Sequence, residues 1–352
     1  MTSLQPSSGV AGDDPRGTQR GGVARLVSDL ASVPRVPSVV SIGFFDGVHR
    51  GHQRIIGGAL HHAARHDARS VVLTFDRHPL QIVRPEAVPP LLMTTARRAR
   101  TLAETGVDLV VVLTFDERLR TLVPEAFVAQ VLRSSLDARH LVVGHNFRFG
   151  HRAAGDVALL ERIGAREGFG VDGVDLLAVG GEPVSSTRIR GALADGDVAT
   201  AADLLGRPFV IDGTVVHGDH RGRALGFPTA NLEVASGVVV PANGVYAGMA
   251  ALGDGRQVPA AISIGSNPQF DGTAVRVEAY LLDIDEDHYG ADLALDLRRR
   301  LRGQQRFATV DDLVAAMRDD VAAVRDLLGA APAGGAPAPA PLAVRPPGAP
   351  SS

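Results

Sequence analysis

Residues 38–52 read SVVSIGFFDGVHRGH. The segment opens with a short apolar run at 38–42, passes through a glycine-containing turn and continues into a helical pattern. An apolar strand followed directly by a helix is typical of a parallel sheet that is covered by helices on both faces. We therefore predict that this stretch is the first βα unit of a doubly wound α/β domain.

Four further apolar runs follow along the chain and alternate with longer segments of helical pattern. The runs are 70–75, 109–115, 140–143 and 171–179. Helices are predicted between them, for example at 95–104 and 124–134. In a doubly wound sheet the ligand lies beyond the carboxyl ends of the strands, so the loops after these runs form the candidate site.

After Leu205 the chain changes to short runs rich in Val and Ala between Gly and Pro. These runs are 209–216, 244–252, 257–264, 276–282 and 291–297, and one long helical pattern follows at 310–328. The pattern predicts a small antiparallel β-barrel with a C-terminal helix. The expected domains are 23–205 and 206–330. They are flanked by two tails expected to be disordered, a small polar one at 1–22 and an Ala/Pro-rich one at 331–352.

The composition excludes several classes of chemistry. The chain has 352 residues and a formal net charge of −3, and all 36 residues counted as Lys or Arg are Arg. Without Lys, a P-loop of the G-x-x-x-x-G-K-[ST] type and Schiff-base catalysis are excluded, and without Cys so are disulfides and thiolate metal sites. The balanced charge and the lack of a stretch of ~20 apolar residues lead us to expect a cytoplasmic protein with neither a nucleic-acid nor a membrane partner.

The loop after the first strand, residues 43–52, contains two histidines, His49 and His52, in the spacing H-x-G-H. It is named the H-x-G-H loop below. Helix N–H groups, the helix dipole and two imidazoles at the start of a helix form a phosphate site. The alternatives are a glycine-rich turn with two surface histidines, or a transition-metal pair, although no third ligand follows at a suitable spacing. The spacing resembles that of the nucleotidylyltransferases, which transfer an adenylyl or cytidylyl group.

Three more loops at the same expected edge of the sheet carry polar groups. They read TFDRHP at 74–79, VGHNFRFG at 143–150 and VSSTRIR at 184–190. The last places hydroxyls and guanidinium groups at a helix start, which suits a polyphosphate because a forked Arg holds two oxygens of one phosphoryl group. Its alternative is a Ser N-cap followed by a solvated Arg face.

A motif in the second domain narrows the resemblance to one family. Residues 216–232 read VHGDHRGRALGFPTANL and are followed by NGVYA at 243–247. This pair resembles the riboflavin kinase module. In their order along residues 39–328, the motifs resemble the family of bacterial bifunctional riboflavin kinases and FAD synthetases.

For the first domain, the resemblance implies attack of the FMN phosphate on the α-phosphorus of ATP, with release of pyrophosphate. His49, His52 and Asn146 would act at the reacting phosphates. The residues that it assigns to the nucleotide pocket and the triphosphate are Gly43, Phe44, Asp46, Gly47, Ser186, Thr187 and Arg188. Mg²⁺ would bridge phosphate oxygens. The physical task is positioning and charge neutralisation rather than acid–base chemistry.

For the second domain, the resemblance implies phosphorylation of the ribityl hydroxyl of riboflavin by ATP. The loop 217–223 would lie over the nucleotide, through His217, Gly218, Arg221 and Gly222. Thr229 and Asn231 would hold Mg²⁺ and phosphates. Glu278 matches the general base, because the attacking alcohol must lose its proton to a nearby carboxylate. Its alternative is a strand Glu that faces solvent or pairs with Arg276.

Some positions depart from the family pattern near the expected flavin subsites, namely Arg77, His145, Gln269, Ile284 and His288. One rival hypothesis is therefore a riboflavin kinase with a decayed adenylylation site. Another is a non-catalytic flavin- or nucleotide-binding module whose Pro-rich tail recruits a groove-bearing partner. A group of histidines at 61, 62 and 66 is interpreted as a solvated helix face.

Overall fold

The structure, a computed structural model, describes residues 24–218, 222, 225–266 and 275–329. Both predicted tails, Arg221 and Gln269 lie outside these residues. The chain divides by packing into two units. In the described ranges, the sheet unit comprises 24–44, 52–87 and 99–176, and the barrel unit comprises 45–51, 88–98 and the residues from 177 onward.

Six parallel strands form the sheet unit. They are β1 Arg25–Val27, β2 Ser38–Ile42, β3 Arg69–Phe75, β4 Leu109–Leu113, β5 Ala138–Gly144 and β6 Gly170–Val174. Their spatial order is β1-β4-β3-β2-β5-β6, with Ser38 beside both Arg69 and Ala138. The order reverses between β2 and β5, so the ligand crevice of a doubly wound sheet is expected at their carboxyl ends.

The helices of the first half of the chain connect these strands. They are α1 Arg50–Arg65, α2 Leu80–Val83, α3 Thr95–Ala103, α4 Glu117–Thr121, α5 Pro124–Phe127 with a π-helix at Val128–Ser135, and α6 Val157–Glu167; short 3₁₀ turns lie at Leu30–Ser32, Pro85–Ala87 and His151–Ala153. Asp116 and Asp156 cap α4 and α6 by accepting hydrogen bonds from backbone N–H groups. Buried aliphatic residues of the strands and helices, such as Leu73 and Leu132, form the core of the sheet unit.

The barrel unit contains a closed antiparallel barrel. Its strands are β9 Phe209–Val216, β10 Ala230–Val234, β11 Gly244–Ala251, β12 Gln257–Ser266, β13 Val275–Leu281 and β14 Asp292–Arg302, in the order β10-β13-β12-β11-β14-β9. A hairpin of β7 Ala178–Val179 and β8 Glu182–Pro183 and the helices α7 Ser186–Ala194 and α8 Val198–Leu205 precede it. The C-terminal helix is Val310–Leu328, where Thr309 and Asp312 form a capping box.

The predicted fold class is confirmed: a parallel sheet is followed by a closed antiparallel barrel and a C-terminal helix. The run at 171–179 is two elements, because β6 ends at Val174 and β7 begins a separate hairpin. Gly180 and Gly181, with φ of 65° and 83°, form the tight turn of that hairpin. Among the described helices, none is both long enough and apolar enough to cross a membrane.

Candidate active sites

The end of β2 places Gly43 and Phe44 in the sheet unit. Gly43 N donates a hydrogen bond of 3.1 Å to Leu73 O, and Thr74 Oγ1 donates one of 3.0 Å to Phe44 O. The ring of Phe44 packs edge-on against His78, with centroids 4.8 Å apart. These contacts with β3 and the loop after it fix the first two residues of the H-x-G-H loop.

Asn146 follows β5 on the other side of the reversal point. A Cβ at Gly144 would lie 3.1 Å from Asn146 Oδ1 and 3.5 Å from Ile55 of α1, so the absence of a side chain at 144 leaves room for the amide. His52 is three residues before Ile55 on the same helix. The first turns of α1 therefore lie beside the end of β5, where His52 and Asn146 were expected to act.

Asp46 organises the part of the H-x-G-H loop that belongs to the barrel unit. Its carboxylate accepts hydrogen bonds from Leu92 N at 2.9 Å and Arg190 Nη2 at 2.5 Å. Ser186 Oγ donates to the Asp46 backbone carbonyl at 3.0 Å, and Arg190 Nε donates to Pro90 O at 2.6 Å. Burial raises the pKa of Asp46, while Arg190 opposes the rise. Asp46 thus joins the loop to α7 and to the segment 88–98.

His49 is buried, with 5% of its surface exposed. Burial, assisted by the charge of Arg207, lowers the pKa of His49 to about 4. The imidazole is therefore neutral at pH 7, so it can donate an N–H hydrogen bond without contributing a positive charge. The Arg207 guanidinium donates to Gly47 O at 2.6 Å and to Val48 O at 3.1 Å, which holds the backbone before His49.

Gly47 has a φ of 82°, a left-handed conformation that favours glycine. An added Cβ would also lie 2.6 Å from Leu92 Cδ1. Both the backbone conformation and the packing therefore require glycine here, one residue after Asp46.

The start of α7 brings together only some of the residues that were predicted to bind the triphosphate. Ser185 is the N-cap, accepting from Arg188 N at 3.2 Å, and Thr187 is exposed. The Arg188 guanidinium donates to the carbonyls of Val179 and Glu182, at 2.8 and 3.1 Å. Arg188 is therefore held by the β7–β8 hairpin, rather than reaching the H-x-G-H loop.

Sequence reasoning did not assign roles to Arg190 and Arg207. A signal for Arg190 existed, because residues four apart share one face of a helix and Arg190 is four residues after Ser186. For Arg207 there was no local signal, since its carbonyl partner at Gly47 is 160 residues away along the chain.

In the barrel, Glu278 on β13 lies directly opposite Asn231 on β10. Directly opposed residues of an antiparallel pair have Cβ atoms roughly 5 Å apart, so the carboxylate and the amide are neighbours. Glu278 and Thr229 line the same pocket, of about 380 Å³. This position differs from a strand Glu that faces bulk solvent.

In the predicted loop 217–223, named the glycine loop below, the backbone at Gly218 and Gly222 lies directly on these residues. A Cβ at Gly218 would come 2.2 Å from Asn231 Nδ2, and one at Gly222 would come 2.4 Å from Phe227 O and 3.2 Å from Thr229 Oγ1. The loop backbone can approach this closely only because both positions are glycine. At the start of the loop the His217 ring packs on Tyr289, with centroids 3.9 Å apart.

The pocket lies between the outer face of the barrel and the C-terminal helix. Its apolar lining is Leu225, Phe227, Val245, Ala261, Tyr280, Phe307, Leu313, Met317 and Val321. At one side, Arg302 donates to Asp320 at 3.0 and 2.7 Å, which closes the pocket wall with a charged pair. An apolar cavity of this size with a few polar groups is typical of a site for a small organic molecule.

Comparison with known families assigns the two halves. The family model described as FAD synthetase matches residues 33–188, and the one described as riboflavin kinase matches residues 205–328. A solved structure described as the macrolide-efflux protein of Streptococcus pneumoniae superposes with a TM-score of 0.77 at 31% identity, covering 86% of this chain and 99% of that one.

Curated relatives carry one shared name, bifunctional riboflavin kinase/FMN adenylyltransferase. The Escherichia coli K12 protein is 38% identical over 87% of this chain and 97% of its own length. The Pseudomonas fluorescens protein is 40% identical over 82% of this chain and 92% of its own, and the Bacillus subtilis protein is 32% identical over 83% and 92%. The chain, with one FAD synthetase domain and one riboflavin kinase domain, therefore belongs to the family of bifunctional riboflavin kinases/FMN adenylyltransferases.

Proposed function

We propose that the chain carries out both reactions for which its family is named. Riboflavin and ATP give FMN and ADP, and FMN and a second ATP give FAD and pyrophosphate. We assign FAD formation to residues 23–205 and FMN formation to 206–330, because α8 ends at Leu205 and the matched families meet near this point. The observation that carries the proposal is that Glu278, which lies opposite Asn231, lines an apolar pocket.

Riboflavin kinase chemistry follows from that arrangement. The flavin ring would occupy the apolar pocket, and its ribityl chain would extend toward Glu278. The Glu278 carboxylate would accept the proton of the attacking hydroxyl, which makes the oxygen a better nucleophile toward the γ-phosphoryl group. The backbone of the glycine loop, at Gly218 and Gly222, would cover the nucleotide, with His217 at the entrance and Arg221 as a further phosphate ligand.

Two residues beside the glycine loop are suited to bind a magnesium ion. Thr229 offers a hydroxyl oxygen and Asn231 an amide oxygen, and Mg²⁺ prefers oxygen ligands. These two residues would hold Mg²⁺, which neutralises charge on the ATP phosphates. The closeness of the Gly218 backbone to the Asn231 amide supports this assignment, since it places the loop and the amide at one point.

Adenylylation needs positioning rather than a base. Gly43, Phe44, Asp46 and Gly47 would shape the nucleotide pocket through the loop backbone. His52 and Asn146 would contact the reacting phosphates from α1 and β5. These groups would stabilise charge that develops on the phosphate oxygens during the in-line transfer.

The remaining phosphate ligands come from the loop and α7. His49 would donate an N–H hydrogen bond as a neutral imidazole, because its pKa is lowered to about 4. Ser186 and Thr187 would offer the N–H groups of the first turn. Arg188 would have to exchange the carbonyls of the β7–β8 hairpin for phosphate oxygens when ATP binds.

A product assay tests the proposal. Purified protein is incubated with riboflavin, ATP and Mg²⁺, and the flavins are separated by chromatography; both FMN and FAD are expected. Accumulation of FMN alone would select a kinase with a decayed adenylylation site. Tight flavin binding without any product would select the non-catalytic module and refute the proposal.

A further inference from the structure

A cluster of titratable side chains in the sheet unit takes no part in the two proposed reactions. His62 lies on the last turn of α1, His140 on β5 and Asp172 on β6. His62 Nε2 lies 2.6 Å from Asp172 Oδ2, and His140 Nε2 lies 3.3 Å from the same oxygen. The structure therefore does not show His62 on a freely solvated face, as the sequence indicated, because its side chain is only 23% exposed.

The backbone brings these groups to one face of the sheet. In the parallel register His140 lies beside Gly170 and Val142 lies beside Asp172, so the two titratable residues share a face. α1 packs on this face through Ala63, which contacts the buried group that includes Val142. A Cβ at Gly170 would lie 2.2 Å from His140 Nδ1, so the ring fits only over glycine.

The chemistry of the cluster is that of a metal-ligand set. One nitrogen or oxygen atom from each of the three residues lies within 4.8 Å of the others. His140 Nε2 is buried; it lies 3.3 Å from Asp172 Oδ2 without hydrogen-bond geometry and has no other hydrogen-bond partner in the described ranges. A buried polar atom without a hydrogen bond is costly unless another partner satisfies it.

We propose that His62, His140 and Asp172 bind a divalent transition-metal ion, with Zn²⁺ as the expected occupant. Imidazole nitrogen and carboxylate oxygen are ligands that Zn²⁺ accepts readily, whereas Mg²⁺ prefers oxygen alone. The fourth position is taken by water or by His66, which is four residues after His62 and has its ring centroid 6.2 Å away.

Binding requires a small rearrangement that the site permits. The rings of His62 and His140 stack with centroids 4.1 Å apart, so they must tilt toward a shared ion. Ligands at ~2.0–2.2 Å from Zn²⁺ in a tetrahedron lie roughly 3.3 Å from one another, so Asp172 must withdraw slightly from His62. The Asp172 side chain is 46% exposed, which gives it room to move and gives the ion a path from solvent.

The ion would cross-link β6 to α1 and β5, two elements that lead to adenylylation residues. α1 begins at the H-x-G-H loop and reaches His62 roughly 15 Å beyond His52. β5 carries His140 near its start and ends two residues before Asn146. A bound ion is therefore expected to stabilise the sheet unit against unfolding, because it binds the folded arrangement only.

The test is a titration of the full-length chain without a histidine tag, with ZnCl₂ in calorimetry and CoCl₂ in visible absorption, in buffer that contains Mg²⁺. One ion per chain and a rise in Tm that EDTA reverses are expected. His140→Ala and Asp172→Asn should each weaken binding by at least the ~10–100-fold that follows loss of an outer-shell partner. His61→Ala is the matched control, an exposed histidine next to His62 on α1, and it should bind like the wild type.

Three results would overturn the proposal. They are no stoichiometric ion in the wild type, unchanged affinity in the two ligand variants, or an equal loss in His61→Ala. Circular dichroism and FAD formation check that each variant folds. If His140→Ala is unfolded, Asp172→Asn decides the outcome, because it changes a 46% exposed side chain and leaves the stacked rings of His62 and His140 in place.

Discussion

Arg190 Nη2 donates a 2.5 Å hydrogen bond to Asp46 Oδ2, although the two residues are 144 positions apart in the sequence. The same carboxylate accepts the backbone N–H of Leu92. The loop that carries His49 is therefore held by α7 and by the segment 88–98, as well as by its own glycines. The conformation of the loop therefore depends on Arg190, a residue outside the H-x-G-H motif.

Arg190→Ala is expected to destabilise the protein and to reduce FAD formation. The substitution removes the hydrogen-bonded cation of the buried Asp46 carboxylate and leaves the charge of Arg98; removing one partner of a buried pair costs roughly 3 kcal/mol. Urea denaturation measures the loss. Arg166→Ala is the control, because Arg166 is 64% exposed in its pair with Glu167 and lies outside the proposed sites, so its loss should cost less than about 1 kcal/mol. Equal losses in the two variants would show that Asp46 does not depend on Arg190.

The sequence predicted those elements that have a strong local pattern. Phe209–Val216 and Val310–Leu328 have the predicted bounds, because alternation and helical spacing are visible within each segment. Three strands were missed, one of which, Glu182–Pro183, is only two residues long. Arg25–Val27 is a three-residue edge strand with two exposed residues, and Ala230–Val234 alternates polar and apolar residues directly after a proline and threonine turn. Neither forms an apolar run, so pairing with other strands decides their structure.

Candidate site residues could be proposed from the sequence where they lie in one loop, but not where contacts join residues far apart along the chain. His52, Asn146 and Glu278 stand in motifs that can be read from neighbouring residues. The contact of Arg207 with Gly47 depends on the fold, and no local spacing in the sequence predicts it. The contact of His62 with Asp172 likewise joins a helix to a strand far along the chain.

Stability should fall in mildly acidic solution because of His49. The unfolded imidazole has a pKa of 6.5 and the folded one about 4, so the unfolded state takes up the proton first. The stabilisation is complete above pH 6.5 and is lost as the pH falls toward 4, by up to roughly 3 kcal/mol. Carboxylates titrate in the same range, so the measurement is the difference in Tm between wild type and His49→Asn across pH 4–7. A difference that does not change with pH would contradict the prediction.

Glu278→Gln should abolish one reaction and spare the other. Loss of the general base is expected to lower kcat for FMN formation by about 10²–10⁴-fold, with little change in KM for riboflavin. FAD formation from supplied FMN should continue, because none of its assigned residues is altered.

His52→Ala is the reciprocal variant. Loss of one donor to a developing charge is expected to lower FAD formation by about 10²–10³-fold while riboflavin is still converted to FMN. Chromatography of the flavins from both variants separates the effects. If either substitution stopped both reactions in a protein that remained folded, the two sites could not be independent.

Gly218→Ala should impair the kinase reaction by a steric clash, because it removes no catalytic group. The added Cβ would lie 2.2 Å from Asn231 Nδ2, so either the loop or the amide must move, at a cost of about 1–3 kcal/mol. Because Asn231 lies opposite Glu278, this movement is expected to raise KM for MgATP and lower kcat/KM for FMN formation by tenfold or more. Gly253→Ala is the matched control, since a Cβ there meets no atom within 4 Å, and it should leave both reactions unchanged. FAD formation serves as the internal control in both variants. An unaffected kcat/KM in Gly218→Ala would show that the nucleotide does not bind where Gly218 meets Asn231. The assignment of Thr229 and Asn231 as magnesium ligands would then also be wrong.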